Sequence, residues 1–172
     1  MTHVFLFRAV NVGGTAKLPM AELRALAAEL GATQVQTYIA SGNLIASPPG
    51  DPLAFARDLE DQVETRFGFR REVIVRDAAA LRAGRDAHPF VIVDPAFSYL
   101  VPVSGTPADP AAAADVPTGD DHWALVGDDL HLRYANGAGR AELDLNRLLR
   151  TLGVVGTARN LRTVDALLAL LD

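Results

Sequence analysis

An α+β fold is what this sequence predicts: two βαββαβ units in tandem, each followed by one more helix. Three observations carry that expectation. The chain has 172 residues, 49% of them hydrophobic and 22% charged, which suits one domain or two small ones and is too apolar for disorder. Apolar runs of strand length alternate with stripes at helical spacing. The order strand, helix, strand, strand, helix, strand occurs twice along the chain.

The first half opens with His3 to Val10, almost continuously apolar, which fits a central strand covered on at least one face and flanked on both edges. The loop Asn11-Val12-Gly13-Gly14-Thr15-Ala16-Lys17 follows. A helix comes next, with Pro19 in its first turn, Met20, Leu23, Leu26, Ala27 and Leu30 at helical spacing, and Gly31 as a left-handed cap. Gln36 to Ala40 and Leu44 to Ser47 read as short strands about the turn Ser41-Gly42-Asn43. Asp51 caps a second helix whose stripe is Phe55, Leu59, Val63 and Phe67, closed by Gly68. Arg71 to Asp77 is a strand, and Ala78 to Ala87 a further helix.

The second half repeats the order. Phe97 to Val103 is a strand. Pro110 to Val116, capped by Asp109, reads as a short Ala-rich helix, with a solvated linker as the alternative. His122 to Val126 and Leu130 to Ala135 form a hairpin about Gly127-Asp128. Glu142 to Leu152 is a helix closed by Gly153, Thr157 to Leu161 a brief strand, and Val164 to Leu171 a last helix. This is the split βαβ, ferredoxin-like or alpha-beta plait pattern, and it divides the chain into units 1–93 and 94–172.

Right-handed crossovers make the first two strands parallel, with the third antiparallel between them. The loop after strand one, the turn 41–43 and the start of the first helix then share one end of the first sheet. Amides at a helix start, paired glycines, and Arg8 as a guanidinium fork describe an anion site, to which Ser41, Asn43 and nearby Lys17 add polar groups. Neither the GxxxxGK[ST] nor the GxGxxG pattern is present, so this is neither a Walker loop nor the dinucleotide-binding fingerprint. The plainer alternative is that Gly13, Gly14 and Gly42 supply positive φ in turns, while Asn11 and Asn43 bond to nearby backbone.

The stretches Arg8-Ala9-Val10-Asn11-Val12-Gly13-Gly14, Met20-Ala21-Glu22-Leu23-Arg24 and Tyr38-Ile39-Ala40-Ser41-Gly42-Asn43 resemble a bacterial family of unknown function, number 1697. His88-Pro89-Phe90 and Thr157-Ala158-Arg159-Asn160-Leu161-Arg162-Thr163 extend the resemblance over nearly the whole chain. The departures are Ala9 for glycine, Ala40 for asparagine, His88 for asparagine, and Leu161-Arg162 for Trp-Asn. The resemblance implies tandem ferredoxin-like units and no established activity. It places motif residues at Arg8, Asn11, Gly13, Gly14, Ser41, Gly42, Asn43, Arg159 and Asn160, as a shared site or a shared structural seam.

The remaining signals narrow the function classes. There is no cysteine, so disulfide scaffolds, thiolate metal sites and cysteine nucleophiles are excluded. The formal net charge of −5 and 6% aromatic residues disfavour nucleic acid as a partner, although sheet-face readers share this topology. Phe5 and Phe7 alternate, but on a strand expected to pack inward. No apolar run approaches the roughly 20 residues of a membrane span, so a cytoplasmic protein, monomeric or a homodimer, is expected. Asp120-Asp121-His122 reads as a turn entering a strand rather than a metal run. No metal or cofactor is implied. The leading function is binding of a small phosphate- or carboxylate-bearing ligand by Arg8, Asn11, Gly13, Gly14, Lys17, Ser41, Gly42 and Asn43, with Arg159 and Asn160 from the second half. Nucleic-acid binding, a purely structural or dimerising role, and a phosphate-ester hydrolase or transferase stand as alternatives. Whether the protein is an enzyme stays open, because no acid or base is placed beside Arg8 by sequence.

Overall fold

The computed structural model describes residues 1–172. It is a mixed α+β structure with two antiparallel sheets and five α-helices. Its contacts divide the chain into two units, Met1–Leu81 with Leu167–Asp172, and Arg82–Ala166.

In the first unit the elements are β1 (His3–Phe7), α1 (Met20–Glu29), β2 (Thr33–Tyr38), β3 (Asn43–Ser47), α2 (Pro52–Phe67) and β4 (Val73–Asp77), followed by α3 (Ala78–Asp86). The sheet order is β2-β3-β1-β4, so β1 is flanked on both edges. All five of its residues are buried, as the unbroken apolar run demanded. Phe5 and Phe7 face α1 and α2, together with Leu23, Leu26, Leu44, Phe55, Leu59 and Val63. Phe5 meets Phe55 edge-on, with centroids 5.1 Å apart. Burying a side chain of that size contributes about 2–3 kcal/mol, so this layer dominates the unit's stability. Val4, Leu6, Ile45 and Ile74, on the opposite face of the sheet, are buried as well. Asp51 caps α2 by accepting from the Ala54 amide, and Gly68 ends it at φ 78°. The hairpin differs slightly from expectation: the loop is Ile39 to Gly42, and Asn43 is already the first residue of β3.

The second unit contains β5 (Ser98–Ser104), β6 (His122–Val126), β7 (Asp129–Arg133), α4 (Leu145–Leu152), β8 (Val155–Gly156), β9 (Arg159–Asn160) and α5 (Leu161–Leu171), with α3 and α5 each extending across the division of the chain. The order is β6-β7-β5, with β8 and β9 both on the free edge of β5. Three expectations are corrected. Pro110 to Val116 is no α-helix but a 3-10 turn over Pro110–Ala113: the Asp109 cap and Pro110 start it, and Pro117, which disfavours helical backbone at Val116, leaves a span of little more than one turn. The fourth helix starts at Leu145 rather than Glu142, because Asp144 is extended (φ −85°, ψ 100°) and caps the Arg147 amide, while the Asp121 carboxylate holds the Glu142 and Leu143 amides ahead of the helix. The last strand is two short pieces, since Pro102 of β5 has no N–H for the ladder and Asn160 turns the chain into α5.

Candidate functional site

The loop after β1 and the β2–β3 turn meet at one end of the first sheet. The Phe7 amide donates to the Gly42 carbonyl (2.9 Å), and the Arg8 amide extends the ladder to the Glu72 carbonyl (3.0 Å). Asn11 completes the join. Its Nδ2 donates to the carbonyls of Ala40 (2.7 Å) and Leu18 (2.9 Å), while its Oδ1 accepts from the Leu18 amide (2.7 Å). One side chain therefore ties the loop to both the hairpin turn and the entrance of α1. It does so at φ 55°, a left-handed conformation that asparagine tolerates better than most residues. On either side, Val10 and Leu18 are buried in the core, which anchors the loop's two feet.

Between those feet the chain forms a miniature hairpin. The Asn11 amide bonds to the Ala16 carbonyl, and Val12 bridges Thr15. Gly13 (φ 60°) and Gly14 (φ 72°) form its two-residue tip, the pattern of a type I′ turn. Nothing lies within 4 Å of a Cβ placed on either glycine, so the backbone angle is what requires glycine there. Gly42 is different. A Cβ there would sit 2.6 Å from Val10 Cγ2 and 2.7 Å from Phe7 Cβ, and its φ is 88°. Asn43 is fully buried, its Nδ2 donating to the Tyr38 carbonyl (2.9 Å) and Ser41 Oγ (3.0 Å). Ala9, where the resembled family has glycine, holds φ 53°, which costs an alanine about 1 kcal/mol.

The predicted ligand-binding set thus separates by role. Asn11, Gly42 and Asn43 lock backbone together, and Ser41 Oγ receives the Asn43 amide. Arg8 and Lys17 remain outward. Arg8 Nη1 makes a single contact to Glu72 Oε2 at 3.4 Å, with both side chains partly exposed, and its other guanidinium donors have no partner within the fold. Lys17 is exposed and pairs with no carboxylate. No side chain caps α1, whose N-cap position is Pro19. Glu72 had no sequence signal, because only the β1–β4 pairing brings it to Arg8.

Arg159 and Asn160 belong to the second unit. Arg159 is buried, with Nη1 donating to Thr157 Oγ1 (2.6 Å) and the Ala158 carbonyl (3.0 Å); burial pushes its guanidinium down to about 10. Asn160 Oδ1 accepts from the Thr163 amide and caps α5, and its side chain also bonds Tyr99. Asp121, singled out in the acidic run, is a tether: it accepts from the amides of Ala135, Glu142 and Leu143 at 2.7 to 3.0 Å. The neighbouring Tyr134 phenol is pushed up to about 12, mainly by burial and further by Tyr99 and Asp121. No group of three or more His, Asp or Glu side chains is placed to hold a metal ion. An open groove of about 330 Å³ on α1 and α2 is lined by Glu22, Ala25, Glu29, Arg66 and Phe67, and its Arg66 and Glu29 are paired with each other.

Two antiparallel sheets carrying asparagine-locked loops define a mixed α+β protein in which no helix is long and apolar enough to cross a membrane. The chain belongs to the family described as protein of unknown function DUF1697, whose model matches residues 1–131. Its fold is similar to that of a conserved bacterial protein from Streptococcus pneumoniae, with a TM-score of 0.71 and 19% identity over 99% of this chain and 98% of the other. A search among curated proteins finds no match.

Proposed function

We propose that this protein binds a small phosphate- or carboxylate-bearing ligand on the first unit, at the rim formed by the loop 8–18 and the turn 41–43. Arg8 provides the guanidinium fork, Lys17 a second positive charge, and the glycine tip and the uncapped start of α1 provide amides. Asn11, Ser41, Gly42 and Asn43 hold the rim in shape instead of contacting the ligand through their side chains. The observation that carries the reading is Arg8: it sits on a rim pinned by Asn11, yet only one of its nitrogens touches a carboxylate, at 3.4 Å. Nucleic acid is a poorer fit, because Phe5 and Phe7 are in the core and Val4, Leu6, Ile45 and Ile74 on the other face are buried, which leaves no stacking platform on that sheet. We also infer that the chain is a tandem duplication of ferredoxin-like units over 1–93 and 94–172. That inference is supported by strand orders β2-β3-β1-β4 and β6-β7-β5-β8 that superpose element for element in sequence.

Thermal-shift measurements with inorganic phosphate, simple carboxylates and nucleotides test the binding reading. A ligand at 100 times its Kd stabilises by about 2.7 kcal/mol, which is readily visible as a rise in Tm. The rise is expected in the natural chain and is expected to be lost in Arg8→Ala and reduced in Lys17→Ala. Absence of any shift with every anion, or an undiminished shift in Arg8→Ala, removes the proposal.

A further inference from the structure

The second unit carries an arrangement that the rim reading does not use. His131 lies on β7 opposite Leu100 and Ala124. Its neighbours Leu130 and Leu132 pack into the core with α4, so His131 points to the other face, where it is fully buried. His88, two residues beyond the end of α3, reaches the same place: its Nδ1 is 3.1 Å from His131 Nδ1. Phe90 meets His88 edge-on with centroids 5.6 Å apart, and lies 5.8 Å from the ring of His122. The approach of α3 to this face is close, since a Cβ on Gly84 would fall 2.5 Å from Asp129 Oδ2 and 3.3 Å from Leu100.

Two imidazole nitrogens at hydrogen-bond distance require one N–H and one lone pair between them. The neutral pair is therefore made of opposite tautomers. One ring carries its proton on Nδ1, and the other carries its proton on Nε2. Both Nε2 atoms are buried and have no partner in the protein, and neither does the buried Ser98 Oγ on β5. A second proton on the pair would face the first across 3.1 Å or create a buried cation. The groups around it do little to stabilise such a cation. From α3, Arg85 opposes it, although Asp165 of α5 and Asp86 lie beside Arg85; β6 places His122 on this face, β7 contributes Asp129 and Arg133, β5 brings Ser98, and β9 sets Arg159 opposite Leu100.

We propose that His88 and His131 form a single-proton clasp that pins the segment following α3 to this face of the β5–β7 sheet at neutral pH and releases it in acid. Burial pushes both imidazoles down, His131 to about 4, with Arg85 adding to the effect on His88 and His88 to that on His131. The sign follows. In the unfolded chain both rings take up protons near pH 6.5, while the folded pair resists, so stability declines as pH falls from about 6.5 towards 4.

The test uses the full chain. Nitrogen-15 spectra of the imidazoles at pH 7.5 are expected to show one Nδ1-protonated and one Nε2-protonated ring, neither titrating near 6.5. Hydrogen exchange, corrected for intrinsic rate, then follows the Ala87 and His88 amides, which close the last turn of α3 on Ala83 and Arg85. Exchange there is expected to accelerate at least tenfold between pH 7.5 and pH 4.5 in the natural chain. In His88→Asn, which keeps a donor for His131 Nδ1 but cannot take up a second proton, the Ala87 acceleration is expected to shrink several-fold. Matching tautomers, a normal titration of either ring, or equal acceleration in both proteins overturns the proposal. The spectra of the natural chain decide the matter alone if the variant does not fold.

Discussion

Removing the Asn11 side chain tests the scaffold that the proposed site rests on. Asn11→Gly keeps a residue at ease at φ 55° but deletes three hydrogen bonds, two to the carbonyls of Ala40 and Leu18 and one from the Leu18 amide. Hydrogen bonds of this kind contribute about 0.5–1.5 kcal/mol net. Asn11 is itself exposed, which favours the low end of the range, so the glycine variant is expected to lose about 2 kcal/mol. Asn11→Ala deletes the same bonds and also forces a Cβ-bearing residue into the left-handed region, adding about 1 kcal/mol. With a urea m-value of about 2 kcal/mol/M, the two midpoints are expected to drop by roughly 1 M and 1.5 M. Urea denaturation followed by far-ultraviolet circular dichroism measures both. A glycine variant within 0.5 kcal/mol of the natural chain refutes the assignment of Asn11 as the tie between loop, turn and helix. Equal losses in the two variants refute the conformational part of the argument.

Two further substitutions probe joints of the same kind. Gly42→Ala is expected to cost about 3 kcal/mol or more, because its Cβ collides with Val10 and Phe7 at a φ of 88°; a Tm unchanged within a degree or two contradicts the close approach. Asp121→Asn replaces a carboxylate that accepts from three amides with a group offering one acceptor oxygen. Bonds to charged groups contribute about 1.5–3 kcal/mol each, so a loss of about 2–4 kcal/mol is expected in thermal or urea unfolding. A loss under 1 kcal/mol removes the tether.

The legibility of the chain varied with the range of the forces involved. Helices α1 and α2 could be read within a residue or two, because their signals are local: Asp51 and Gly68 act on backbone within four positions, and the stripe Phe55, Leu59, Val63 follows from helical geometry. The start of α4 could not, since Asp121, more than twenty residues upstream, holds the Glu142 and Leu143 amides in a segment that precedes the helix. Likewise no local pattern reports that Pro102 breaks the ladder to the last strand, or that Glu72 faces Arg8. The meeting of the loop 8–14 with the turn at 42 was readable, because crossover handedness forces both to one end of the sheet. Which of two roles each residue takes there was left open, since an asparagine that binds backbone and one that binds a ligand look alike in sequence; Asn11 and Asn43 take the backbone-bonding role that stood as the plainer alternative. The His88–His131 pair was equally hidden, its members lying 43 positions apart on a loop and a strand.

Asparagine recurs at three motif positions, and at each its amide bonds at least one nearby backbone group. Asn11 bonds Leu18 and Ala40, Asn43 bonds Tyr38 and Ser41, and Asn160 caps Thr163. An asparagine side chain supplies donor and acceptor without charge, which suits it to joining chain segments at the ends of strands and helices, and at Asn11 it also tolerates left-handed backbone. The motif therefore divides by chemistry. Its amides and Gly42 join the loops, while its partly exposed Arg8, with Lys17 nearby outside the motif, is left with donors to spare. A purely structural motif has no need of Arg8 beyond one long contact with Glu72, so if the proposed site binds an anion, substituting Arg8 is expected to leave stability nearly untouched and to abolish any ligand-dependent rise in Tm, whereas substituting Asn11 is expected to lower stability with or without ligand. The two variants thus separate a binding site built on a scaffold from a scaffold alone.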